Sequence, residues 1–152
     1  MISMKSNVHI QFTMNNLFKI KTFLSNDRQY LFCNCCFISN EHVIGDYKQI
    51  ALAETMELSL TDLADKLANY KPIKCSCSEI SYVFKNISDN IYNSCLPICV
   101  EPFDGYFGFF CEINDVEYLI VKELDTAEYT RIKISKREYL DCVNKAMRQF
   151  KL

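Results

Sequence analysis

The order of two hydrophobic patterns along the chain constrains its fold more than any other feature. Runs typical of β-strands form two separate blocks. These blocks cover residues 7–14, 17–24 and 29–38 near the start, and residues 106–113, 116–122 and 127–134 near the end. Apolar residues at helical spacing lie between the blocks and after the second one. This order predicts an α+β fold with an antiparallel sheet packed against two to three helices.

Residues 29–38 differ from the other strand-like runs because they are apolar on both faces. A strand with both faces covered has this composition, so we place it at the centre of the sheet. Asn40-Glu41 predicts a turn into a short strand at 42–44, and Asn114-Asp115 predicts the two-residue turn of a hairpin. We find no internal repeat or domain boundary and expect residues 1–152 to form a single domain.

Three helices are predicted from local signals. Ser59 is expected to cap a helix that ends before Pro72. Residues 78–93 place their apolar side chains along one stripe, although a strand over 80–84 fits the same residues. The sequence Ser135-x-x-Glu138 forms a complete capping box ahead of an amphipathic last helix.

The composition argues against several classes of protein. The net charge is −2 and the basic residues form no stripe along which a phosphate backbone could lie, so we expect no direct nucleic-acid binding. Three glycines are too few for a glycine-rich phosphate loop. No apolar run approaches the roughly 20 residues that span a bilayer, and residues 1–20 lack the apolar region of a secretory signal. We expect a cytoplasmic protein with no membrane contact, no cofactor and no catalytic residues.

The nine cysteines are expected to be reduced and mostly buried in a cytoplasmic protein. Cys33 and Cys36 form a C-x-x-C sequence, but they lie in an apolar strand whose neighbouring side chains point to opposite faces. Cys75 and Cys77 form a C-x-C sequence in a loop and are the better candidates for zinc ligands. A small enzyme that uses this pair with a histidine, dependent on thiol or zinc chemistry, is therefore an alternative.

Acidic residues are frequent in the C-terminal strand block. They lie at turns or on the less apolar strand faces and are Glu112, Asp115, Glu117, Glu123, Asp125 and Glu128. One interpretation is the solvated outer face of a sheet. The other is an acidic docking surface for a basic partner, on which charge steers association and sets specificity. Tyr106, Tyr118 and Tyr129 would anchor such an interface, unless they belong to the core.

Short motifs along most of the chain resemble those of a known group of proteins. The motifs are Ile44-Gly45-Asp46-Tyr47, Phe103-Asp104-Gly105-Tyr106 and the Ser135-x-x-Glu138 helix, with a leucine-spaced helix between the first two. Their order resembles the small immunity proteins of bacterial polymorphic-toxin and contact-dependent growth inhibition systems. The group most similar reads I-N-G and I-G-D-Y early and F-D-G-W late. Here Ser39-Asn40-Glu41 replaces the first motif and Tyr106 replaces the tryptophan.

The resemblance implies a protein that binds and neutralises a cognate toxin C-terminal domain, often a nuclease, by blocking its active site or substrate path. It implies no catalytic activity and no cofactor. We take the six acidic residues above, with Tyr106 and Tyr118, as the predicted toxin-binding residues. A scaffold protein of a phage or mobile element is a further alternative.

Overall fold

The computed structural model describes residues 16–150, and the strand predicted over 7–14 lies outside them. The described residues form two four-stranded sheets and three α-helices. The first sheet contains β1 (Asn16–Leu24), β2 (Leu31–Ser39), β3 (His42–Ile44) and β4 (Ala51–Leu52). The second contains β5 (Ile73–Lys74), β6 (Tyr106–Ile113), β7 (Val116–Glu123) and β8 (Tyr129–Lys133). The helices are α1 (Ala53–Asn69), α2 (Ile80–Ile87) and α3 (Lys136–Arg148).

The α+β class is confirmed, and the two predicted strand blocks form separate sheets. In the first sheet β2 pairs with β1 on one side and with β3 and β4 on the other, so it is the central strand. Cys33, Cys35 and Cys36 of this strand are buried. The apolar character of both faces therefore predicted its position correctly.

The second sheet is built around the β6–β7 hairpin, with β8 antiparallel to β7. Asn114 and Asp115 form the hairpin turn and have φ angles of 51° and 65°. Positive φ at both positions is the geometry that suits the twist of a two-residue hairpin. The edge strand β5 pairs with β6 in parallel, which the sequence did not predict because β5 is only two residues long.

The helices confirm one predicted start and contradict another. Ser135 and Glu138 form the expected capping box: the Glu138 amide donates to the Ser135 hydroxyl at 3.0 Å. In contrast, α1 begins at Ala53, so the start predicted at Ser59 is wrong. The Ser59 hydroxyl lies within the helix and donates to the Ile98 carbonyl oxygen at 2.8 Å, a contact from a distant loop.

The middle helix is shorter than predicted. It covers Ile80–Ile87, after a 3-10 turn over Cys77–Glu79, and the alternative strand over 80–84 is wrong. The stripe pattern was correct for this segment, since Ile80 and Phe84 are the residues that α2 buries. None of the helices in residues 16–150 is long and apolar enough to cross a membrane.

Two clusters of buried residues cover opposite faces of the second sheet. The main cluster joins one face, through Phe110, Leu119 and Val121, to the first sheet, α1 and α3. The smaller cluster joins the other face to Ile80 and Phe84 of α2. Since neighbouring residues of a strand point to opposite faces, each side chain of the hairpin is assigned to one cluster or the other.

Tyr139 of α3 connects the parts of the main cluster. Its ring lies 5.8 Å from that of Phe18, 5.1 Å from that of Phe37 and 5.4 Å from that of Phe110, which come from β1, β2 and β6. Its hydroxyl donates to the Cys95 carbonyl oxygen at 2.8 Å, so the one polar atom of a fully buried ring is satisfied.

Candidate functional site

The eight predicted toxin-binding residues lie at the two ends of the β6–β7 hairpin. Tyr106 pairs with Glu123 at one end, and Glu112 pairs with Glu117 at the other. The two pairs are six positions apart along each strand, which corresponds to roughly 20 Å at about 3.3 Å per residue. The acidic residues therefore do not form one continuous patch.

The turn end of the hairpin holds Glu112, Asp115 and Glu117. Glu117 accepts a hydrogen bond from the Lys136 amide at 2.7 Å, in the first turn of α3, which gives this carboxylate a structural role. Asp115 is exposed at the turn. Tyr118 points to the opposite sheet face, where the Arg131 guanidinium lies 5.1 Å above its ring.

At the other end, two of the motifs that carry the resemblance meet, residues 44–47 and residues 103–106. Asp46 donates its amide hydrogen to the Pro102 carbonyl oxygen at 2.7 Å. Gly45 has a φ of 99°, and a Cβ there would lie 3.0 Å from the Pro102 oxygen and 3.1 Å from the Phe103 ring. Only glycine accommodates both the backbone angle and the close approach. The segments 44–47 and 103–106, far apart in the sequence, are thus packed against each other.

A surface cleft of about 250 Å³ opens beside this junction, and we call it the acidic cleft. Its walls come from β3 of the first sheet and from β6 to β8 of the second. The lining residues are Val43, Ile44, Tyr106, Val121, Glu123, Thr126, Glu128, Tyr129 and Thr130. Three of the eight predicted residues, Tyr106, Glu123 and Glu128, are therefore brought together here. Asp125 lies in the same loop but does not line the cleft.

Hydrogen bonds fix the loop that carries the two glutamates. The Thr126 hydroxyl lies 3.0 Å from the Glu123 carbonyl oxygen and 3.2 Å from that of Glu128. The Leu124 amide donates to the Gly105 carbonyl oxygen at 2.7 Å, which ties the loop to the turn before β6. Glu123 and Glu128 are exposed to solvent. Unlike Glu117, neither accepts a hydrogen bond from a helix N-terminus within residues 16–150.

The charge in the cleft acts on Tyr106. Burial raises the pKa of this tyrosine above its ordinary value, and the nearby carboxylates of Glu123 and Asp46 raise the pKa further. The raised pKa keeps the phenol a neutral hydrogen-bond donor, close to the Glu123 side chain. The Tyr129 ring pairs with Phe84 of α2 at 6.2 Å, so its ring belongs to the other side of the sheet.

These groups are suited to receive a long basic side chain. Ile44 and Val121 are buried apolar residues that would pack against its methylene groups. Glu123 and Glu128 would accept hydrogen bonds from its guanidinium or ammonium group. Sequence reasoning missed Val43 as a lining residue and Asp46 as a second charge near Tyr106, although Asp46 lies in a motif that it had singled out.

Two other surface clefts are larger, at about 340 Å³ and 360 Å³. The first is lined by Lys66 and Lys71 among others, and the second lies between Gln29–Leu31 and the start of α1. Neither contains a predicted toxin-binding residue. In residues 16–150, no group of three or more His, Cys, Asp or Glu side chains is arranged to hold a metal ion.

Comparison of the chain with models of protein families, with curated proteins and with solved structures found no match.

The junction beside the cleft predicts unequal effects of two glycine substitutions. We expect Gly45→Ala to lower the free energy of unfolding by about 3 kcal/mol, because the new methyl group would meet backbone at an unfavourable φ. Gly105→Ala should lower the free energy of unfolding by only about 1 kcal/mol. The φ of 79° is unfavourable for alanine, but nothing lies within 4 Å of the added Cβ. Urea unfolding of both variants measures the difference, and equal losses would contradict the close packing at Gly45.

The Tyr106–Glu123 pair predicts a coupled titration. Glu123→Gln should lower the pKa of Tyr106 toward its ordinary value, because it removes a negative charge and leaves the burial unchanged. Since the pKa is raised in the folded state, stability is lost as the pH rises above about 10, and the substitution should reduce this loss. Ring-proton NMR, assigned with Tyr106→Phe, follows the titration.

Glu128→Gln is the matched control for this measurement. It removes the other glutamate of the cleft, which does not contribute to the raised pKa of Tyr106. An equal fall in the pKa of Tyr106 in both variants would rule out a specific Tyr106–Glu123 contact.

Proposed function

We propose that this protein is a cytoplasmic immunity protein that binds a cognate toxin domain and occludes its active site or substrate path. The observation that carries the proposal is the meeting of the two resemblance motifs at the edge of the acidic cleft. Motifs that only formed turns could lie anywhere on the surface, whereas these two meet beside the cleft that Tyr106, Glu123 and Glu128 line. Their contact instead supports one shared role, which is to form the wall of a recognition site.

The electrostatics of the cleft favour a toxin domain that is a nuclease. A nuclease binds the phosphate backbone with Lys and Arg side chains along its substrate path. Carboxylates presented at fixed positions compete for those same side chains. The Thr126 hydroxyl lies close to the backbone carbonyl oxygens of Glu123 and Glu128 and so orders the loop that carries both side chains. A basic side chain of the toxin would therefore meet two carboxylates on one preorganised loop.

A single cleft is sufficient as an anchor but not as the whole interface. A stable complex of this kind buries about 1,600 Å² in total, and a few central residues supply most of the affinity. We assign the anchoring role to Tyr106, Glu123 and Glu128. Asp125, exposed in the same loop, would lie at the rim, where charge affects the association rate more than the affinity.

Charge-reversal variants test the proposal in complex with the toxin domain, which we expect the adjacent upstream gene to encode. We expect the chain and that domain to co-purify as a stable complex and the chain to restore growth when both are expressed. Glu123→Lys combined with Glu128→Lys should raise the dissociation constant by about 100-fold or more, because each substitution leaves a basic group of the toxin unpaired.

The matched control is Glu112→Lys combined with Asp115→Lys, at the turn end of the same hairpin. It changes the net charge equally and should alter the affinity by less than about tenfold. A greater loss of affinity in this control than in the cleft variant would show that the binding surface lies at the turn end. Absence of any complex with the folded wild-type chain would overturn the immunity role itself.

A further inference from the structure

Three cysteines gather at the edge of the second sheet, on the face that carries α2. Cys111 of β6 is buried, Cys75 after β5 is half-buried, and Cys77 is exposed. The parallel pairing of β5 with β6 places Ile73 opposite Cys111, and the Cys75 amide then donates to the Glu112 carbonyl oxygen at 3.3 Å. The Cys75 and Cys111 thiols are close enough to affect each other's pKa.

The exposed thiol of this group has a charged partner. Arg131 donates a hydrogen bond from Nη1 to the Cys77 sulfur at 3.1 Å. The guanidinium is held in place by the Tyr118 ring, whose centroid lies 5.1 Å away. Cys99 is also exposed but has no such hydrogen bond among the described residues, so it provides a comparison within the same chain.

The backbone brings a second thiol to the same side. Ser76, between the two cysteines, is extended, with φ −89° and ψ 165°. Side chains two residues apart in an extended segment leave the chain on the same side, so Cys75 and Cys77 face the same region.

Burial affects two of the three thiols, Cys75 and Cys111. Burial raises the pKa of Cys75 above its ordinary value and the pKa of Cys111 to about 12. Both therefore remain protonated at neutral pH, and the thiolate is the form that attacks an oxidant. Cys77, which is exposed and contacts a guanidinium, is the group that an oxidant meets first.

We propose that Cys77 is a site of reversible oxidation by hydrogen peroxide and that Cys75 is its resolving thiol. The Cys77 thiolate attacks one peroxide oxygen, the O–O bond breaks, and hydroxide leaves and takes up a proton to give water. The sulfur is thereby oxidised by two electrons to a sulfenic acid. Cys75 then passes its proton to the hydroxyl group of the sulfenic acid as its sulfur attacks the Cys77 sulfur, and the S–O bond breaks to release a second water. The product is a Cys75–Cys77 disulfide.

Arg131 contributes to the first step through its remaining N–H donors. A guanidinium has five N–H donors, and one of them is hydrogen-bonded to the Cys77 sulfur. The others are available to the peroxide oxygen that leaves as hydroxide and carries the developing negative charge. Donors directed at developing charge are an efficient means of lowering a reaction barrier.

Peptide mass spectrometry after brief treatment of the folded protein with hydrogen peroxide tests this proposal. Lys74 and Lys85 bound a tryptic peptide that contains both Cys75 and Cys77, whereas Cys99 and Cys111 lie in the next peptide. We expect peptide 75–85 to lose two hydrogens through an internal disulfide that dithiothreitol reverses. Cys75→Ser should instead accumulate the Cys77 sulfenic acid, detected as a dimedone adduct.

Three further variants separate the role of Arg131 from the effect of exposure alone. Arg131→Gln should slow oxidation of Cys77 by roughly tenfold or more, whereas Arg131→Lys should retain part of the rate. Cys99→Ser should leave the oxidation of Cys77 unchanged. Equal rates for Cys77 and Cys99, no effect of Arg131→Gln, or a cross-link of peptide 75–85 to the Cys111 peptide would each overturn the proposal.

Discussion

The packing around Tyr139 determines how the two sheets lie relative to each other. This residue of α3 contacts Phe18 and Phe37 of the first sheet and Phe110 of the second with a single ring. Its hydroxyl is bound to the Cys95 carbonyl oxygen, and burial raises the pKa of Tyr139 well above its ordinary value, which keeps the phenol neutral. Because the protein interior is closely packed, a shift of this ring would displace every element that contacts it.

The acidic cleft depends on this arrangement because its walls belong to different sheets. Ile44 belongs to β3, whereas Tyr106 and Glu123 belong to the β6–β7 hairpin. Gly45 completes the junction by allowing the chain after β3 to approach Pro102. The recognition site that we propose is therefore a product of tertiary packing, and a change in the core that moved one sheet would alter it without touching a lining residue.

Local features of the fold could be predicted from the sequence, and long-range ones could not. The predicted strands that lie within residues 16–150 and the Ser135–Glu138 capping box depend on neighbouring residues, and these were predicted correctly. The start of α1 was misplaced because Ser59 has a partner, Ile98, that is distant in the sequence. The division into two sheets and the parallel pairing of β5 also depend on distant contacts.

For the candidate site too, residues could be identified from the sequence but their long-range arrangement could not. Acidic residues and tyrosines of the C-terminal block were identified from composition, but their separation to opposite ends of the hairpin follows from register. Asp46 and Val43 were missed because nothing in their own segment indicates that it lies against residues 102–106. Both segments are motifs of the same resemblance, and this was the signal that could have indicated that they lie together.

The measurement that tests the central claim most directly is hydrogen exchange of the backbone amides in the free chain and in its complex with the toxin domain. The account predicts slower exchange on binding over residues 43–46 and 123–130, which form and flank the acidic cleft. Residues 112–117 at the turn end should exchange at nearly the same rate in both states. Protection confined to the turn end, with no change around the cleft, would contradict the assignment of the cleft as the binding site.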